Sequence, residues 1–355
     1  MQHRPTVTGN FSLTNPAVRA WIYQILSVVV LVLFVGHLVH NTLTNLNHRG
    51  ITSGFDFLNN AAGFGIVQHL IDFEQGDTYG RVFVVGLLNT LLVSALCIVF
   101  ASILGFIVGL YRLSENWLLR KLSTLYIEIF RNIPPLLQIF FWYFAVLRNL
   151  PGPRQAVNAF DLAFLSNRGL YLPATDAGPG AWATAIALLV ALAQLIAGPA
   201  IAWDVPQLRG FNFRGGMALI PELAALTLAL SVYTSAFIAE VIRSGIQSVP
   251  FGQHEAAGSL GLPNPVTLNK VILPQAMRVI VPTLTSQYLN IVKNSSLAAA
   301  IGYPDMVSLF AGSVLNQTGQ AIETIAITMA VYLVISLAIS LLMNIYNKRK
   351  ALVER

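Results

Sequence analysis

The sequence contains few charged residues. Only 10% of its 355 residues are Asp, Glu, Lys or Arg, whereas 55% are hydrophobic. A soluble domain usually carries about 25% charged residues, so this chain has too few to cover itself with a solvated surface. The net charge is +6, but the basic residues lie at the ends of apolar segments and form no single patch. The composition therefore indicates a membrane protein and argues against a nucleic-acid partner.

Patterns that carry catalytic chemistry are also missing. The only cysteine, Cys97, excludes an internal disulfide, and its apolar neighbours predict a packed side chain. No Gly-x-x-x-x-Gly-Lys-Ser/Thr loop occurs, so this chain alone cannot cradle the phosphates of ATP. No Cys/His cluster has the spacing of metal ligands, and we expect His37 and His40 to be packed or interfacial. We therefore expect no metal site, no cofactor on this chain and no enzymatic activity.

Long apolar runs, in contrast, are frequent. A helix needs about 20 residues to cross about 30 Å of hydrocarbon. Runs of this kind occupy 18–43, 82–111, 133–148 with an amphipathic lead-in from 122, 217–242, 276–297 and 320–346. A seventh run, 181–203, is interrupted at Gly198-Pro199. Because backbone groups in lipid must satisfy one another, these runs predict an all-α, polytopic transmembrane helical bundle.

Basic residues orient this bundle. Three groups of them are predicted to be cytoplasmic: Arg112, Arg120 and Lys121; Arg243, Lys270 and Arg278; and Lys348, Arg349 and Lys350. Residues 44–80 are acidic and are predicted to lie on the other side. This alternation requires an even number of crossings within 149–216. We therefore expect 181–203 to be re-entrant or a partial hairpin; the alternative is that the assigned orientation is wrong.

A polar segment at 250–274 separates two of the apolar runs. It contains Glu255-Ala256-Ala257-Gly258-Ser259-Leu260-Gly261, followed by Val271-Ile272-Leu273-Pro274. Small residues at Ala256, Ala257 and Gly258 allow a short helix to approach a partner closely, and Gly261 can end that helix in a left-handed turn. Glu255 is predicted near the helix start, where the helix dipole favours an anion. The pattern indicates a helix that a soluble partner could grip, and the alternative is an ordinary surface loop.

This pattern resembles the signature loop of ABC importer permeases. Three further segments are similar to permeases for polar amino acids: 237–253, Arg131-Asn132-Ile133-Pro134-Pro135-Leu136-Leu137-Gln138, and Lys293-Asn294-Ser295-Ser296-Leu297. The resemblance covers roughly residues 80–345, although Val271 stands where the family usually has Ile. Residues 1–80 and about 150–216 have no counterpart in the shortest members. Such extensions are similar to those of the subfamily that imports L-amino acids broadly.

The resemblance implies a five-helix core with an extra N-terminal span and an inserted segment. Its expected parts are 1–80 (cytoplasmic tail, extra helix and periplasmic loop), 81–148 (core helices 1 and 2), 149–216 (insertion) and 217–355 (core helices 3 to 5, with a coupling loop at 243–275). The residues expected to couple to an ATPase are Gly252, Glu255, Ala256, Ala257, Gly258, Gly261 and Pro274. The implied location is the bacterial inner membrane.

The same resemblance implies partners. Two ATPase subunits, which carry the ATP and Mg, would grip two such loops, and a periplasmic binding protein would deliver the amino acid. A second permease chain would complete the path. That chain would be homologous or identical, and the extra segments favour a heterodimer.

A polar stripe in 276–297 marks an expected substrate path. Its members recur at spacings of three and four residues: Thr283, Ser286, Gln287, Asn290, Lys293 and Asn294. Polar groups at membrane depth usually face a bundle interior or a wet cavity, and amides with hydroxyls suit a zwitterion. Lys293 could meet an α-carboxylate, or it could pair with Glu240 or reach the interface; the stripe could also be a hydrogen-bond seam.

Other polar residues are predicted to have more local roles. Gln138, which follows the Pro134-Pro135 break, is a further candidate for the path. Glu128 and Arg131 are expected to pair with each other. Gly105 and Gly109 predict close packing of two helices.

Two other classes of protein compete with the permease. An ion-coupled secondary amino acid transporter would use an acidic residue in the membrane, and Glu240 is the main candidate. A membrane scaffold would not need the polar stripe, so replacing Asn290 by Leu would be harmless in a scaffold and damaging in a permease.

Overall fold

The computed structural model of the protein describes residues 16–48, 54–159, 162–175 and 203–350. The chain divides into two compact units, Met1–Phe55 and Asp56–Arg355. The run at 181–203, which was expected to be re-entrant, lies outside the described residues except for its last position.

The first unit contains one long helix, α1, at Pro16–His48. Its segment Val18–Thr42 is long and apolar enough to cross a membrane, which confirms the predicted run at 18–43. Large apolar side chains such as Trp21, Leu33 and Phe34 are exposed along it, as expected of a helix that faces lipid.

The second unit is a helical bundle. Its α-helices are α2 (Tyr79–Arg112), α3 (Trp117–Asn132), α4 (Pro135–Phe140), α5 (Pro221–Gln247), α6 (Phe251–Ser259), α7 (Asn264–Thr267), α8 (Leu273–Ser295), α9 (Leu315–Thr318) and α10 (Ala321–Lys350). Shorter helical segments occur at Asp56–Asn59, Phe141–Val146, Leu147–Asn149, Pro153–Gln155, Leu268–Ile272, Ser296–Ile301 and Val307–Val314. Three of the helices are long and apolar enough to span a membrane: α2, α5 and Ala321–Arg349.

The predicted run at 133–148 is helical from Pro135, but it is separate from its amphipathic lead-in, which forms α3. Asn116 caps α3 by accepting from the backbone N–H groups of Leu118 and Leu119, and α3 ends at Asn132. Pro134 disfavours helical backbone at the residue before it, so the chain restarts as α4 at Pro135 and continues through a π-helical segment. The break therefore falls where the two prolines stand.

The insertion between α4 and α5 contains short strands that the sequence analysis did not predict. They are β1 (Val157–Ala159), β2 (Ala163–Ser166), β3 (Gly169–Leu172), β4 (Ala174–Thr175), β5 (Trp203–Asp204), β6 (Gln207–Arg209), β7 (Asn212–Arg214) and β8 (Met217–Leu219). An antiparallel sheet has the order β1-β2-β3-β8, and β4-β5 and β6-β7 form separate pairs. The predicted all-α class holds for the bundle, but the run expected from 217 starts as a strand, and α5 begins only at Pro221.

The structured segment at 296–320 was also not predicted from the sequence. It is locked onto α2, because Tyr303 Oη donates to the carbonyl of Asn89 at 3.2 Å and Met306 N donates to Thr90 Oγ1 at 3.0 Å. The buried carboxylate of Asp305 accepts from Tyr332 Oη on α10 at 3.0 Å. These bonds tie α2, the 296–320 segment and α10 together.

Contacts at two glycines of α2 bring this helix close to α5 in the core of the bundle. A Cβ on Gly105 would lie 2.6 Å from Ile238 Cβ, and one on Gly109 would lie 2.9 Å from the carbonyl oxygen of Ala239. The expected close packing at these glycines is confirmed, and it joins α2 to α5. Most of the large buried side chains, including Leu226, Leu230 and Ile280, form one cluster around α5.

Candidate functional site

The polar segment between α5 and α8 folds into the predicted short helix, α6. Pro250 precedes it, and its C-terminal end is a Schellman motif. Gly261 has φ +70°, its N–H donates to the carbonyl of Gly258 at 2.9 Å, and Leu262 N donates to the carbonyl of Ala257 at 3.1 Å. The predicted left-handed ending at Gly261 is confirmed.

Two positions in α6 differ from the sequence analysis. Glu255 is the fifth residue of the helix, because the helix starts at Phe251, so the argument from the helix N-terminus does not apply to it. Ala257 is buried within this chain, with 3% exposure, and therefore does not face a partner. Gly252, Glu255, Ala256, Gly258 and Gly261 are exposed, and so is Pro274 at the start of α8.

Two apolar residues of the exposed surface were missed. Phe251, which opens α6, is 73% exposed, and Leu260, which follows its last turn, is 78% exposed. The ring of Phe251 stacks on that of His254 with centroids 6.0 Å apart. A large aromatic side chain in a polar segment between two apolar runs is the signal that could have found this surface. We call the exposed side of Phe251–Gly261 the docking surface.

The docking surface is joined firmly to the bundle. A Cβ on Gly245, two residues before α5 ends, would lie 2.3 Å from Ile280 Cγ1 on α8, so the two helices pack backbone to side chain at this point. Gln275 Nε2 donates to Gln253 Oε1 at 3.1 Å, which links α8 to α6. Val249 in the connection is buried. The short connection through Val249 and the Gln275–Gln253 bond therefore link α6 to the end of α5 and the start of α8.

The predicted polar stripe lies on one side of α8. Thr283, Ser286, Asn290 and Lys293 are exposed, whereas Gln287 and Asn294 are half-buried. The opposite side is buried in the core through Ile291 and Val292. The stripe is thus an open face of this chain, at the surface of the bundle and not within it.

Gln138 lies elsewhere. Its side chain is buried, with 4% exposure, and Nε2 donates to the carbonyls of Phe130 and Ile133, each at 3.0 Å. These carbonyls are freed by the break between α3 and α4, so Gln138 satisfies the break and does not face the stripe. The prediction that it lines the path does not fit this geometry.

The charged residues pair differently from the expected scheme. Glu240 binds both Arg112 and Arg243 through its carboxylate oxygens, and Lys293 has no ion pair among the described residues. The Arg131 guanidinium lies over the ring of Phe237, 5.1 Å from its centroid, and forms no ion pair with Glu128. The expected Glu128–Arg131 pair and the alternative Lys293–Glu240 pair are therefore both wrong.

Several known proteins are similar to this chain in sequence, and a solved structure is similar to it in fold. Residues 101–351 match the family described as binding-protein-dependent transport system inner membrane component. The chain is 72% identical to "Putative amino-acid ABC transporter permease protein YhdX" of Escherichia coli (strain K12), and all of both chains is covered. It is 48% identical to the general L-amino acid transport system permease protein AapQ of Rhizobium johnstonii, over 97% of this chain and 95% of that protein.

A solved structure titled "Crystal structure of an amino acid ABC transporter with histidines" has the same fold. Its TM-score is 0.52 at 24% identity, and the match covers 76% of this chain and 95% of that chain.

Proposed function

The chain belongs to the family of binding-protein-dependent transport system inner membrane components, and on this basis we propose that it is the permease subunit of an ATP-driven importer that carries L-amino acids into the cytoplasm. Two relatives at 72% and 48% identity bear names of amino acid permeases, which supports the substrate class. The proposed location is the inner membrane of a bacterium, and the protein crosses it several times.

One observation carries the coupling role: an exposed short helix lies between two core helices that pack on each other at its base. Gly245 against Ile280 holds α5 to α8, and Gln275 bound to Gln253 holds α6 to the start of α8. A soluble partner bound to Phe251 and Leu260 would thus move the core and not a loose loop. Burial of an exposed aromatic ring and a leucine supplies apolar contact area for such a partner.

The partner we propose is an ATPase subunit. ATP and Mg would be held by two such subunits, which would close on ATP and draw two docked α6 helices together. The rigid attachment of α6 would convert this closure into a rotation of the bundles, and hydrolysis would reverse it. A second permease chain, homologous to this one, and a periplasmic amino acid-binding protein complete the proposed complex.

The stripe on α8 is the proposed substrate path. Its open face offers amide and hydroxyl groups of Ser286, Gln287 and Asn290, which can donate and accept hydrogen bonds. Lys293 supplies a cation with no partner among the described residues, which fits an α-carboxylate. Replacing Asn290 by Leu should lower uptake while the chain still inserts, which uptake assays and membrane fractionation would show.

The docking proposal is tested by a matched pair of variants. Phe251 on α6 and Phe211 in the insertion are 73% and 72% exposed, so Phe251→Ala and Phe211→Ala remove the same side chain from equally open positions. We expect F251A, and not F211A, to lose the ATPase chain during purification in mild detergent. Equal retention of the ATPase by both variants would refute the docking surface.

A second test separates docking from coupling. Gly261 occupies the left-handed region at the exposed end of α6; Asp tolerates this backbone better than most residues, but it adds a negative charge to the docking surface. We expect Gly261→Asp to insert normally but to lose ATP hydrolysis stimulated by the loaded binding protein. Full stimulation in this variant would show that α6 does not transmit the motion.

The secondary-transporter alternative receives no support. Its candidate acid, Glu240, is bound by two arginines, so it is not a free proton or cation carrier.

A further inference from the structure

A cavity apart from the α8 stripe collects charges of both signs. It measures about 370 Å³ and is lined by Arg112, Ile127, Glu128, Arg131, Asn132 and Phe237. We call it the α3 pocket, because four of these residues are on α3. Its size is within the range of small-molecule sites, roughly 300–1,000 Å³.

The two charges contributed by α3 are separate. Glu128 and Arg131 are three residues apart on one helix, a spacing at which side chains usually pair. Here no oxygen of Glu128 lies within 4.0 Å of a nitrogen of Arg131. Instead, Phe237 holds the Arg131 guanidinium at 5.1 Å from its ring centroid. The pocket thus presents the Glu128 carboxylate and the Arg131 guanidinium unpaired with each other, while Arg131 also interacts electrostatically with Glu240.

The other walls complete this arrangement. Arg112 adds a second cation, held in place by Glu240, which Arg243 also binds. Asn132 Nδ2 donates to the carbonyl of Glu128 at 2.6 Å, so its amide oxygen is left as an acceptor at the pocket. Ile127 and the ring of Phe237 form apolar walls.

We propose that the α3 pocket binds the zwitterionic head of an amino acid from the cytoplasmic side. The α-carboxylate would lie at Arg131 and Arg112, the ammonium at Glu128 and Asn132, and the side chain against Phe237. A phosphate group fits less well, because Glu128 would repel it. Arg112 is the last residue of α2 and Arg131 is near the end of α3, in the part of the bundle that basic residues assign to the cytoplasm.

This inference rests on the proposed function, and it predicts that imported amino acid slows further import. The test uses the whole complex in proteoliposomes with ATP inside and binding protein outside. Uptake of a radiolabelled mixture of L-amino acids is measured against increasing amounts of the unlabelled mixture trapped inside. We expect the wild-type rate to fall as trapped amino acid increases.

Variants of pocket residues test whether the inhibition by trapped amino acid arises at the α3 pocket. Arg131→Gln and Glu128→Gln each remove one charge-assisted bond, which corresponds to about tenfold or more in affinity. Each should therefore need about tenfold more trapped amino acid for the same inhibition. Lys121→Gln, an exposed change on the same helix outside the pocket, should behave as wild type.

Additional trapped compounds in the same assay identify the ligand of the α3 pocket. A trapped mixture of N-acetylated L-amino acids, which lack the ammonium group, should not slow uptake. Inhibition by trapped inorganic phosphate at similar concentrations would overturn the assignment in favour of a phosphate site. Uptake that trapped amino acid does not slow, or equal inhibition of both pocket variants and wild type, would also overturn it. Absence of any ATP-driven uptake by the wild-type complex would instead refute the proposed function.

Discussion

Replacing Gly105 by Ala should separate α2 from α5. The new methyl carbon would lie 2.6 Å from both Cβ and Cγ2 of Ile238 and 2.9 Å from the carbonyl oxygen of Ser235. Carbon atoms in contact normally lie about 3.5–4.0 Å apart, so the helices must part by about 1 Å. Because Ile238 Cβ is fixed to its own backbone, rotation of the side chain cannot relieve the overlap.

The expected net cost is about 2 kcal/mol. Overpacking of a tight core costs about 1–3 kcal/mol, here near the upper value, and alanine recovers up to about 1 kcal/mol of helix propensity over glycine. Gly86 on the same helix is the matched control, because its added methyl would meet the side-chain ends of Leu309 and Met306 at 3.3 Å and Met306 Cα at 3.4 Å, a much smaller overlap than at Gly105. We expect Gly86→Ala to be nearly neutral.

Thermal unfolding in detergent measures this difference. Purified variants are heated, and the fraction that remains monodisperse is followed by size-exclusion chromatography at one fixed heating time, because unfolding of such proteins is often irreversible. Gly105→Ala should unfold at a clearly lower temperature than wild type or G86A. If it unfolds together with G86A, the close approach of α2 and α5 is refuted.

A double variant sharpens the test. Gly109 lies one helical turn from Gly105 and meets the same partner helix, with Ala239 O at 2.9 Å from its added methyl. Once the first alanine has moved the helices apart, the second has less to displace. The double variant should therefore lose less stability than the sum of the two single losses, and strict additivity would contradict a shared interface.

Further predictions follow from single contacts. Gln138→Ala should lower the unfolding temperature by the loss of two part-buried hydrogen bonds, about 1–3 kcal/mol, and an unchanged temperature would contradict its role at the break. Glu240→Gln should also destabilise, by about 1–3 kcal/mol, because two arginines lose their shared carboxylate; the same heating assay, with Glu115→Gln as an exposed control, would test this. Gly261→Asn should retain more stimulated ATP hydrolysis than Gly261→Val, because Asn tolerates the left-handed region; equal activity of the two would show that this backbone conformation is unimportant.

The positions of the long apolar helices were predictable from the sequence, because a lipid environment requires such segments to be helical. Apolar runs of about 20 residues must be helical, so α1, α2, α5 and α10 followed from composition. The left-handed end of α6 also followed, since glycine, which has no Cβ, adopts that backbone easily at Gly261.

What escaped prediction depends on neighbours distant in sequence. Strands of two to four residues, as in the insertion, carry too few positions for an alternating pattern. Spacing placed Glu128 and Arg131 on one side of α3, but it could not show that Phe237 on another helix would hold the arginine. Likewise, the role of Gln138 depends on carbonyls that only the folded break exposes.

The pairing of β3 with β8 has a consequence for how the insertion relates to the bundle. Leu172 and Met217 are partners in that ladder, so the chain leaves and returns at adjacent positions, about 5 Å apart. The hairpin of β6 and β7 between them packs back onto this sheet, because the Phe213 ring stacks on Phe164 with centroids 4.7 Å apart and Tyr171 Oη donates to Asn212 Oδ1 at 2.9 Å. The ladder and this hairpin together therefore anchor the returning chain just before α5 begins at Pro221.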